Sequence, residues 1–407
     1  MTRLATRFAT LQLKNPIILG SGPSTDTFDD IRRAEDAGAA AVITKSIGRH
    51  APTPFQATDQ RRYRWQKGIG CHLKSTYLKE ILSLEFGSDL VRRSKQSCSF
   101  PVIASVFFPS LQSDEDVAVW KALVRAQELA GADAVQLDFF YIDLRKLSDE
   151  RIDRFCAAVG EIIDAASVPV FPKLNTGMDD DLVRALYGLA RTPGYIMIDS
   201  IRCEPLVDVD RAGAPLFDGL LHRDGRSISV IAGEPLLPFT LSYTQRAARS
   251  TTRPLCSGGG LSSADHVLQC LMIGATCVHI TSFLMRRGLD QIAKLCAQIE
   301  RKLDKLGYES VDALVGASLL PSPTVSERLV RPTSNLEQQV RLIEEKCVHC
   351  EICEKLQVCE SFLKFPYQFE HNCDGCTMCV DLCPTGALVL EPLKPAIEPR
   401  ATAVSSS

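Results

Sequence analysis

The sequence has no long apolar run and no surplus of charge of either sign. Its 407 residues include 46 lysines and arginines against 49 aspartates and glutamates, for a net charge of -3. Nothing in it approaches the roughly 20 consecutive apolar residues of a membrane-spanning helix. Residues 1–20 also lack the apolar core of an export signal. We therefore expect a cytoplasmic protein that binds neither membranes nor nucleic acid.

A nicotinamide fingerprint is also missing. No G-x-G-x-x-G follows an early predicted strand, as it would in a dinucleotide-binding βαβ unit. If this chain exchanges electrons with a nicotinamide, we expect a separate protein to bind that nicotinamide.

Cysteine, by contrast, is abundant. The chain has 16 cysteines, and half of them fall between Cys347 and Cys383. In a reducing cytoplasm, thiolates serve metals more often than disulfides. The other cysteines are scattered through apolar segments, where we interpret them as small buried hydrophobic residues.

The clustered cysteines form two sets of four. Residues 373–384 read C-x2-C-x2-C-x3-C-P, and residues 347–359 read C-x2-C-x2-C-x5-C. Such runs bind 4Fe–4S clusters, and in two-cluster ferredoxins the fourth cysteine of each run ligates the other cluster. The predicted ligand sets are Cys347, Cys350, Cys353 and Cys383 for one cluster, and Cys359, Cys373, Cys376 and Cys379 for the other. Zinc is the alternative, mainly for the first run, which lacks the final proline.

Eight β-rich runs alternate with helix-capable segments between residues 10 and 307. The runs are residues 15–22, 40–48, 101–108, 134–140, 169–175, 194–202, 253–260 and 277–285. Intervening segments such as ALVRAQELAG carry apolar residues at helical spacing. Eight βα units predict an α/β fold of the (β/α)8 TIM-barrel type. A doubly wound sheet is the alternative.

Composition divides the chain into four parts. We expect the barrel over residues 1–316, a Pro- and Ser-rich linker over 317–340, a two-cluster ferredoxin-like 4Fe–4S module over 341–392 and a disordered tail over 393–407. Two insertions, 49–75 and 203–233, follow predicted strands. Because active sites of such barrels form where strands end, both insertions should lie at that mouth.

A glycine-rich turn follows the seventh predicted strand. In PLCSGGGLSSADHV, the backbone of Gly259 and Gly260 could approach a phosphate, and Ser262 would cap the next helix. Thr281 and Ser282, after strand eight, would complete a phosphate site of the kind common in this fold. A tight βα turn is the alternative, and a sugar phosphate would fit as well as a flavin.

Several segments resemble, in order, the dihydroorotate dehydrogenase family, and within it the FMN and iron–sulfur subunits of dihydropyrimidine dehydrogenases. They include NPIILGSGPSTDTFDDIRRAEDAGAAAVITKSIG, GADAVQLD, VPVFPKLN, AGEPLLPFTL and GGGLSSADHVLQCLMIGATCVHITSFLM. The resemblance implies FMN at the barrel mouth. The residues that would contact it are Ser21, Gly22, Lys45, Ser46 and Lys173 near the ring, and Gly233, Gly259, Gly260, Thr281 and Ser282 at the phosphate. Without the resemblance, either lysine could equally be an ion-pair residue.

Two positions depart from the family pattern and bear on substrate. After strand four, Asp138 stands where the family has Asn, and after strand six Asp199 does the same. An ionised carboxylate only accepts hydrogen bonds, whereas an amide also donates. We therefore expect a substrate with N–H donors, such as an amine, amide or peptide-like molecule. Alternatively, the aspartates pair with Arg202, Arg223 or Arg226.

The family's proton-transferring cysteine or serine has no counterpart. Phe139 and Phe140 occupy that loop, and Tyr141 follows them. A phenol suits a general acid, so Tyr141 is the favoured candidate, although packing is an equal alternative. The other candidates for catalysis are Asp138, Asp199, Lys45, Cys71 and His72.

Together these features predict an FMN oxidoreductase with two 4Fe–4S clusters. It would form or remove a C=C or C=N bond in a small nitrogen-containing substrate, and exchange electrons with a ferredoxin or an NAD(P)H-linked flavoprotein reductase. A homodimer is the expected assembly. The alternatives are dihydropyrimidine dehydrogenase proper, an electron-transfer subunit with a degenerate barrel, and a flavin-free phosphate-binding lyase.

Overall fold

The computed structural model describes residues 2–49, 63–66, 71–75, 81–140, 142–198, 200–203, 207–215, 229–319, 338–356, 359, 362–363, 368–369, 373 and 375–392. Of the strands at 63–66, 71–75, 362–363 and 368–369, only the backbone is described. The chain divides into two compact units, Met1–Leu320 and Pro321–Ser407.

Eight parallel strands form the centre of the first unit. They are β1 (Ile17–Leu19), β2 (Ala41–Ile43), β3 (Val102–Phe107), β4 (Ala134–Asp138), β5 (Val170–Leu174), β6 (Tyr195–Met197), β7 (Leu255–Gly258) and β8 (Cys277–Ile280). Each pairs with the next along the chain, and β8 pairs with β1, so the sheet closes on itself. The predicted TIM barrel is confirmed.

Helices follow the strands on the outside. They are α1 (Phe28–Asp36), α2 (Leu84–Ser97), α3 (Asp114–Ala130), α4 (Asp149–Ala165), α5 (Asp180–Tyr187), α6 (Leu237–Ser250), α7 (Ala264–Met272), α8 (Ser282–Arg287), α9 (Gln291–Leu306) and α10 (Val311–Leu314). Helix α3 shows why such segments start and stop where they do. Ser113 and Asp116 form a capping box at its start, and Gly131 at its end adopts φ 94°, a conformation that favours glycine.

The predicted strands were too long at their C-terminal ends. The run 277–285 is strand only to Ile280 and helix from Ser282. The run 194–202 leaves the barrel after Met197, where Ile198 turns to φ 38°. An apolar run shows burial, but it does not show where hydrogen bonds to the neighbouring strand end.

Alternate residues of the strands point into the barrel, and an N-terminal hairpin closes its floor. Strands Thr6–Phe8 and Leu11–Leu13 pair antiparallel, and the Phe8 ring stacks on Phe171 of β5 with centroids 4.3 Å apart. The apolar floor around them also contains Ile18, Ile43, Ile103, Ala134, Ile196, Cys256 and Cys277. Inward positions above this floor are mainly polar, which places a site in the upper half of the barrel.

The two insertions pair with each other. Strands Tyr63–Gln66, Cys71–Ser75, Ser229–Ala232 and Ile201–Cys203 form a four-stranded antiparallel sheet. These segments follow β2 and β6, at the ends of the barrel strands where the sequence predicts a mouth. Two small pairings accompany them, Ile47–Gly48 with Leu82–Ser83 and Val207–Asp208 with Ala214–Pro215.

The described residues of the second unit contain two small two-stranded sheets. Gln338–Leu342 pairs antiparallel with Leu388–Pro392, and Phe362–Leu363 pairs with Gln368–Phe369. Helix α11 (Met378–Leu382) precedes the last strand. The hydrophobic core of this unit is built around Val340, Cys379 and Leu388. Within the described parts of both units, no helix has the length and apolarity needed to cross a membrane.

Candidate functional site

A buried polar layer lies above the barrel floor. Lys45 after β2, Asp138 at the end of β4 and Lys173 on β5 are 7%, 5% and 2% exposed. Asp138 and Lys173 are direct neighbours in the β4–β5 register. Phe171, two residues earlier on β5, lies in the barrel floor and Leu174 lies in the outer core, so the alternation of the strand directs Lys173 inward. Burying charged groups costs free energy, so their concentration at the mouth marks this end of the barrel as functional.

Asp138 is held by two hydrogen bonds. The Ser46 hydroxyl donates to its Oδ2 at 2.7 Å, and the Phe140 backbone N–H donates to its Oδ1 at 3.1 Å. Ser105 also lies 3.2 Å from the Ser46 hydroxyl. Donors aimed at both oxygens fix the direction in which the carboxylate points.

Arg202 is the one described arginine of the three proposed as partners of the aspartates. It donates to the carbonyl of Phe140, and its guanidinium lies 5.0 Å from the centroid of the Phe140 ring. Phe139 points the other way, into the outer core against Trp120 and Phe155. The two phenylalanines therefore differ, since Phe139 is a core residue and Phe140 belongs to the mouth.

Glycines bring the end of β1 against the end of β8. A Cβ on Gly20 would lie 2.3 Å from Thr281 Oγ1, and a Cβ on Gly22 would lie 2.6 Å from Thr281 Cγ2. His279 on β8 is 3% exposed, and its Nε2 lies 2.8 Å from the Met197 carbonyl oxygen. A Cβ on Gly258 would collide with its ring. Sequence reasoning missed His279, because a single histidine in an apolar strand carries no signal.

Three of the five predicted phosphate residues line a small cleft, and Gly259 and Thr281 do not. Gly233, Gly260 and Ser282 line it, and its volume is about 170 Å³ including space open to solvent. Gly233, Gly259 and Gly260 adopt φ values of 99°, 100° and 82°. A Cβ on Gly260 would lie 2.6 Å from the Leu237 nitrogen. Backbone packed this closely, with only glycine tolerated, suits the approach of a phosphate.

Charged residues border the same cleft. Arg286 of α8 lies on its wall and forms an ion pair with Glu234 at 3.6 Å. The sequence did not single out either residue. A guanidinium at this position adds a positive charge beside the glycine turn, where an anion would sit.

The predicted helix cap was wrong by one residue. Ser263, not Ser262, caps α7, and its hydroxyl accepts from the His266 N–H at 3.2 Å. The Ser262 N–H instead donates to His266 Nδ1 at 3.1 Å. Burial lowers the pKa of His266, which favours the neutral ring that can accept this bond. Two adjacent serines offer the same capping chemistry, so the sequence does not distinguish them.

Asn175, just past β5, is a second residue that the sequence did not single out. It is 6% exposed, and neither its amide nitrogen nor its amide oxygen has a hydrogen-bond partner among the described residues. Of the remaining candidates, Tyr141, Asp199, Arg223, Arg226 and the side chains of Cys71 and His72 lie outside the described residues.

Four cysteines of the second unit come together in the structure. Cys347, Cys350, Cys353 and Cys383 line one cleft of about 430 Å³, including space open to solvent. The Cys383 sulfur accepts from the Ala387 N–H at 3.2 Å and lies 3.6 Å from the Thr385 hydroxyl. Partial burial tends to raise the pKa of Cys383, but these hydrogen bonds outweigh it and lower the pKa to about 7.

Three more cysteines lie close enough to Cys379 to influence its thiol. Burial, and then the charges of Cys359, Cys376 and Cys373, raise the pKa of Cys379 to about 11. Thiols that repel one another's charge in this way are stabilised when a metal centre binds them as thiolates. Within the described residues, no three potential ligands converge on the position of a single ion. The cysteines of the first group instead share a cleft.

Fold and site together define a TIM barrel with a glycine-lined cleft at its mouth, joined in one chain to a cysteine-rich module. The 4Fe-4S binding domain family matches residues 366–389. The chain is 24% identical over 322 residues to the catalytic subunit of dihydroorotate dehydrogenase B (NAD(+)) of Thermoplasma acidophilum, covering 78% of this chain and all of that protein. It is 22% identical over 418 residues to the NAD-dependent dihydropyrimidine dehydrogenase subunit PreA of Escherichia coli K12, covering 96% of each.

A third relative is the chloroplastic dihydropyrimidine dehydrogenase (NADP(+)) of Arabidopsis thaliana, 22% identical over 346 residues, 81% of this chain. This chain is a divergent homologue of these dihydroorotate and dihydropyrimidine dehydrogenases, which are oxidoreductases. The match to PreA spans both units, so the resemblance predicted from the sequence is confirmed.

Proposed function

We propose that this protein is an FMN and iron–sulfur oxidoreductase. It forms or removes a C=C or C=N bond in a small amide, amine or peptide-like substrate and exchanges electrons through two 4Fe–4S clusters. The observation that carries the proposal is the buried polar layer of Lys45, Asp138 and Lys173, in the same barrel mouth as the glycine-lined cleft. A lyase site would need the cleft, but it would not need the iron–sulfur module.

The residues present fit FMN. Gly233, Gly259 and Gly260 would hold its phosphate, together with Thr281 and Ser282. Ser21, Gly22, Lys45, Ser46 and Lys173 would lie along its ring. When bound, FMN supplies hydride transfer and converts two-electron into one-electron chemistry. The buried lysines supply positive charge, which stabilises the negative charge of a reduced flavin.

The thiolates of the second unit would hold the clusters in the crossed pattern. Cys383 would complete the set of Cys347, Cys350 and Cys353, and its neighbours around one cleft support this assignment. The N–H of Ala387 and the hydroxyl of Thr385 would stabilise the Cys383 thiolate. Hydrogen bonds to cluster sulfurs are one of the means by which proteins set reduction potentials.

We assign Asp138 to substrate recognition. Its carboxylate is fixed by Ser46 and Phe140, so it presents acceptor lone pairs in a fixed direction. An N–H or ammonium group of the substrate would satisfy them. Lys45, Tyr141 and Asp199 are the further catalytic candidates, with Tyr141 as the proposed proton donor.

The electron partner would be a ferredoxin or an NAD(P)H-linked flavoprotein reductase. The names of the similar bacterial and archaeal proteins describe NAD-dependent enzymes and call them subunits. This chain has no nicotinamide fingerprint. A second protein would then bring the nicotinamide.

The substitution Asp138→Asn tests the assignment of Asp138. Candidate amides, amines and pyrimidines are first screened for perturbation of the flavin spectrum. For ligands with N–H donors, we expect the variant to bind at least about tenfold more weakly, because a hydrogen bond to a charged acceptor contributes about 1.5–3 kcal/mol. Flavin content should not change.

The matched control is Asp143→Asn. Asp143 is in the same loop, but its carboxylate pairs with Arg145 at 2.9 Å. This variant makes the same change of charge and should bind ligands as the wild type does. If Asp138→Asn binds them equally well, Asp138 does not contact substrate. If no substrate reoxidises the reduced flavin, the chain is an electron-transfer subunit instead.

A further inference from the structure

Asn175 combines deep burial with an unused amide. Asn175 is only 6% exposed, and both polar atoms of its side chain lack a hydrogen-bond partner among the described residues. A buried amide without hydrogen bonds costs about 1–3 kcal/mol of stability. Native structures tolerate few such groups, and each calls for a physical reason.

The position of Asn175 points to a ligand. It lies two residues beyond Lys173, and residues two apart on a strand share a face. Phe171 lies in the barrel floor and Leu174 in the outer core. Lys173, and Asn175 immediately past the strand end, are therefore directed towards the barrel interior at its mouth. The loop backbone around it is already satisfied, since the Asn175 carbonyl accepts from the Met178 N–H at 3.2 Å. Its side chain is thus not needed to close the turn.

Height along the strand separates the substrate from the flavin. Two residues advance about 6–7 Å along an extended strand. If Lys173 lies level with the flavin ring, Asn175 lies above it, on the side where a substrate would stack. Asp138, the register neighbour of Lys173, is on the adjacent strand.

We propose that Asn175 is a specificity-determining residue that reads an amide group of the substrate. Its oxygen accepts from the substrate N–H, and its NH2 group donates to the substrate carbonyl. The substrate class is then a secondary amide or lactam rather than a simple amine. The proposal rests on the proposed function, because it assumes a flavin in the barrel mouth.

The test uses full-length protein purified with its flavin and two small probes. 2-Piperidone presents one cis amide, and N-methyl-2-piperidone is the same ring without the N–H. We expect 2-piperidone to perturb the flavin spectrum and the methylated probe to bind at least about tenfold more weakly. Asn175→Leu should weaken 2-piperidone binding by about tenfold to a hundredfold, because two hydrogen bonds are lost, and should remove the preference between the probes.

Stability supplies a readout that does not depend on turnover. Asn175→Leu removes an unsatisfied buried amide, so the ligand-free variant should melt about 2 °C higher than the wild type. The control is Gln127→Leu in α3, which alters another fully buried amide whose oxygen lacks a partner. It should leave the binding of both probes unchanged.

Three results would overturn the proposal. One is a lower melting temperature with unchanged binding, which would make Asn175 a structural residue. Another is loss of flavin from Asn175→Leu, which would make it a cofactor residue. The third is no binding of 2-piperidone by wild-type protein. In that last case, a normal flavin and iron content would leave the proposed function standing.

Discussion

At the scale of single residues, the glycine turn after β7 has the least tolerance for change. Gly260 combines φ 82° with backbone neighbours where a Cβ would be, 2.6 Å from the Leu237 nitrogen and 2.9 Å from the Gly233 oxygen. Any side chain there must displace the main chain of α6 or of the Gly233 turn. The Gly233 turn lines the cleft assigned to the phosphate.

Gly260→Ala should therefore abolish tight FMN binding. We expect the flavin content of the purified variant to fall below about a tenth of the wild-type content, with a loss of about 1–3 kcal/mol in stability. Flavin absorbance per chain and thermal denaturation measure the two effects.

Gly38→Ala is the matched control, because Gly38 has φ 94° but nothing within 4 Å of its Cβ position. It should cost about 1 kcal/mol from the backbone conformation alone and keep its flavin. Equal flavin loss in both variants would mean that general destabilisation, not the cleft, explains the result.

The sequence predicts some of these residues and misses others for a physical reason. Gly260 belongs to a motif whose spacing requires glycine, so it is visible in the sequence. Asn175 and His279 are single polar residues at strand ends, and their importance depends on which partners the fold brings near them. Burial without a partner is a property of the tertiary structure alone.

At the scale of elements, carboxylates at helix ends fasten the turns that lead into the strands. Glu35 at the end of α1 accepts from the N–H groups of Ser99 and Phe100 before β3. Glu128 near the end of α3 accepts from those of Ser167 and Val168 before β5. Helix α1 follows β1 and helix α3 follows β3. Each carboxylate therefore ties its helix to the loop before the second barrel strand further along the chain.

These contacts make stability depend on pH. The pKa of Glu128 is lowered. Burial alone would raise it, but the hydrogen bonds from Ser167, Arg125 and Val168 outweigh burial. A carboxylate with a lowered pKa in the folded state stabilises the protein above its unfolded pKa of about 4.3. That stabilisation is lost as the pH falls through the folded pKa.

Glu128→Gln should accordingly lower the free energy of unfolding by about 1–3 kcal/mol at pH 7, because the donors lose a charged acceptor. The difference from wild type should shrink as the pH falls below about 4. Urea denaturation at several pH values, followed by circular dichroism, measures it.

Glu161→Gln provides the comparison, since Glu161 is 61% exposed and pairs with Lys121 at the surface. Its effect should stay below about 1 kcal/mol at every pH. If the loss of stability in Glu128→Gln did not depend on pH, the loop would require the shape of the Glu128 side chain rather than its charge.

Strands could be predicted from the sequence where a single residue pattern determines them. All eight barrel strands lie within the predicted runs, because buried parallel strands read as short apolar segments. Their ends were not predictable. The break at Ile198 and the return of residues 201–203 into another sheet depend on pairing with segments far away in the sequence.

At the scale of the whole molecule, the account requires two clusters with crossed ligands. Cys383 lies around one cleft with Cys347, Cys350 and Cys353, although it is closest in sequence to the other set. Double substitutions distinguish crossed from uncrossed ligation. The pair Cys347→Ala and Cys383→Ala removes ligands from one cluster in the crossed arrangement and from both in the uncrossed one.

We therefore expect the Cys347→Ala, Cys383→Ala protein to keep about four irons of about eight. The Cys347→Ala, Cys359→Ala protein should lose nearly all of them, because these two cysteines belong to different clusters when ligation is crossed and to the same cluster when it is not. Iron analysis of anaerobically purified protein measures both, with Cys296→Ala, a cysteine of the barrel unit, as the control. The reverse outcome would establish uncrossed ligation.

The central claim is that one chain carries a flavin and two cubanes. Its most direct test is the flavin and iron content of wild-type protein purified without oxygen, with the absorption spectrum of the same sample. The account predicts one FMN and about eight irons per chain. Four irons with FMN would mean that the first cysteine run holds no cubane. Iron without flavin would contradict the oxidoreductase and leave an electron-transfer subunit, and zinc without either would contradict the account as a whole.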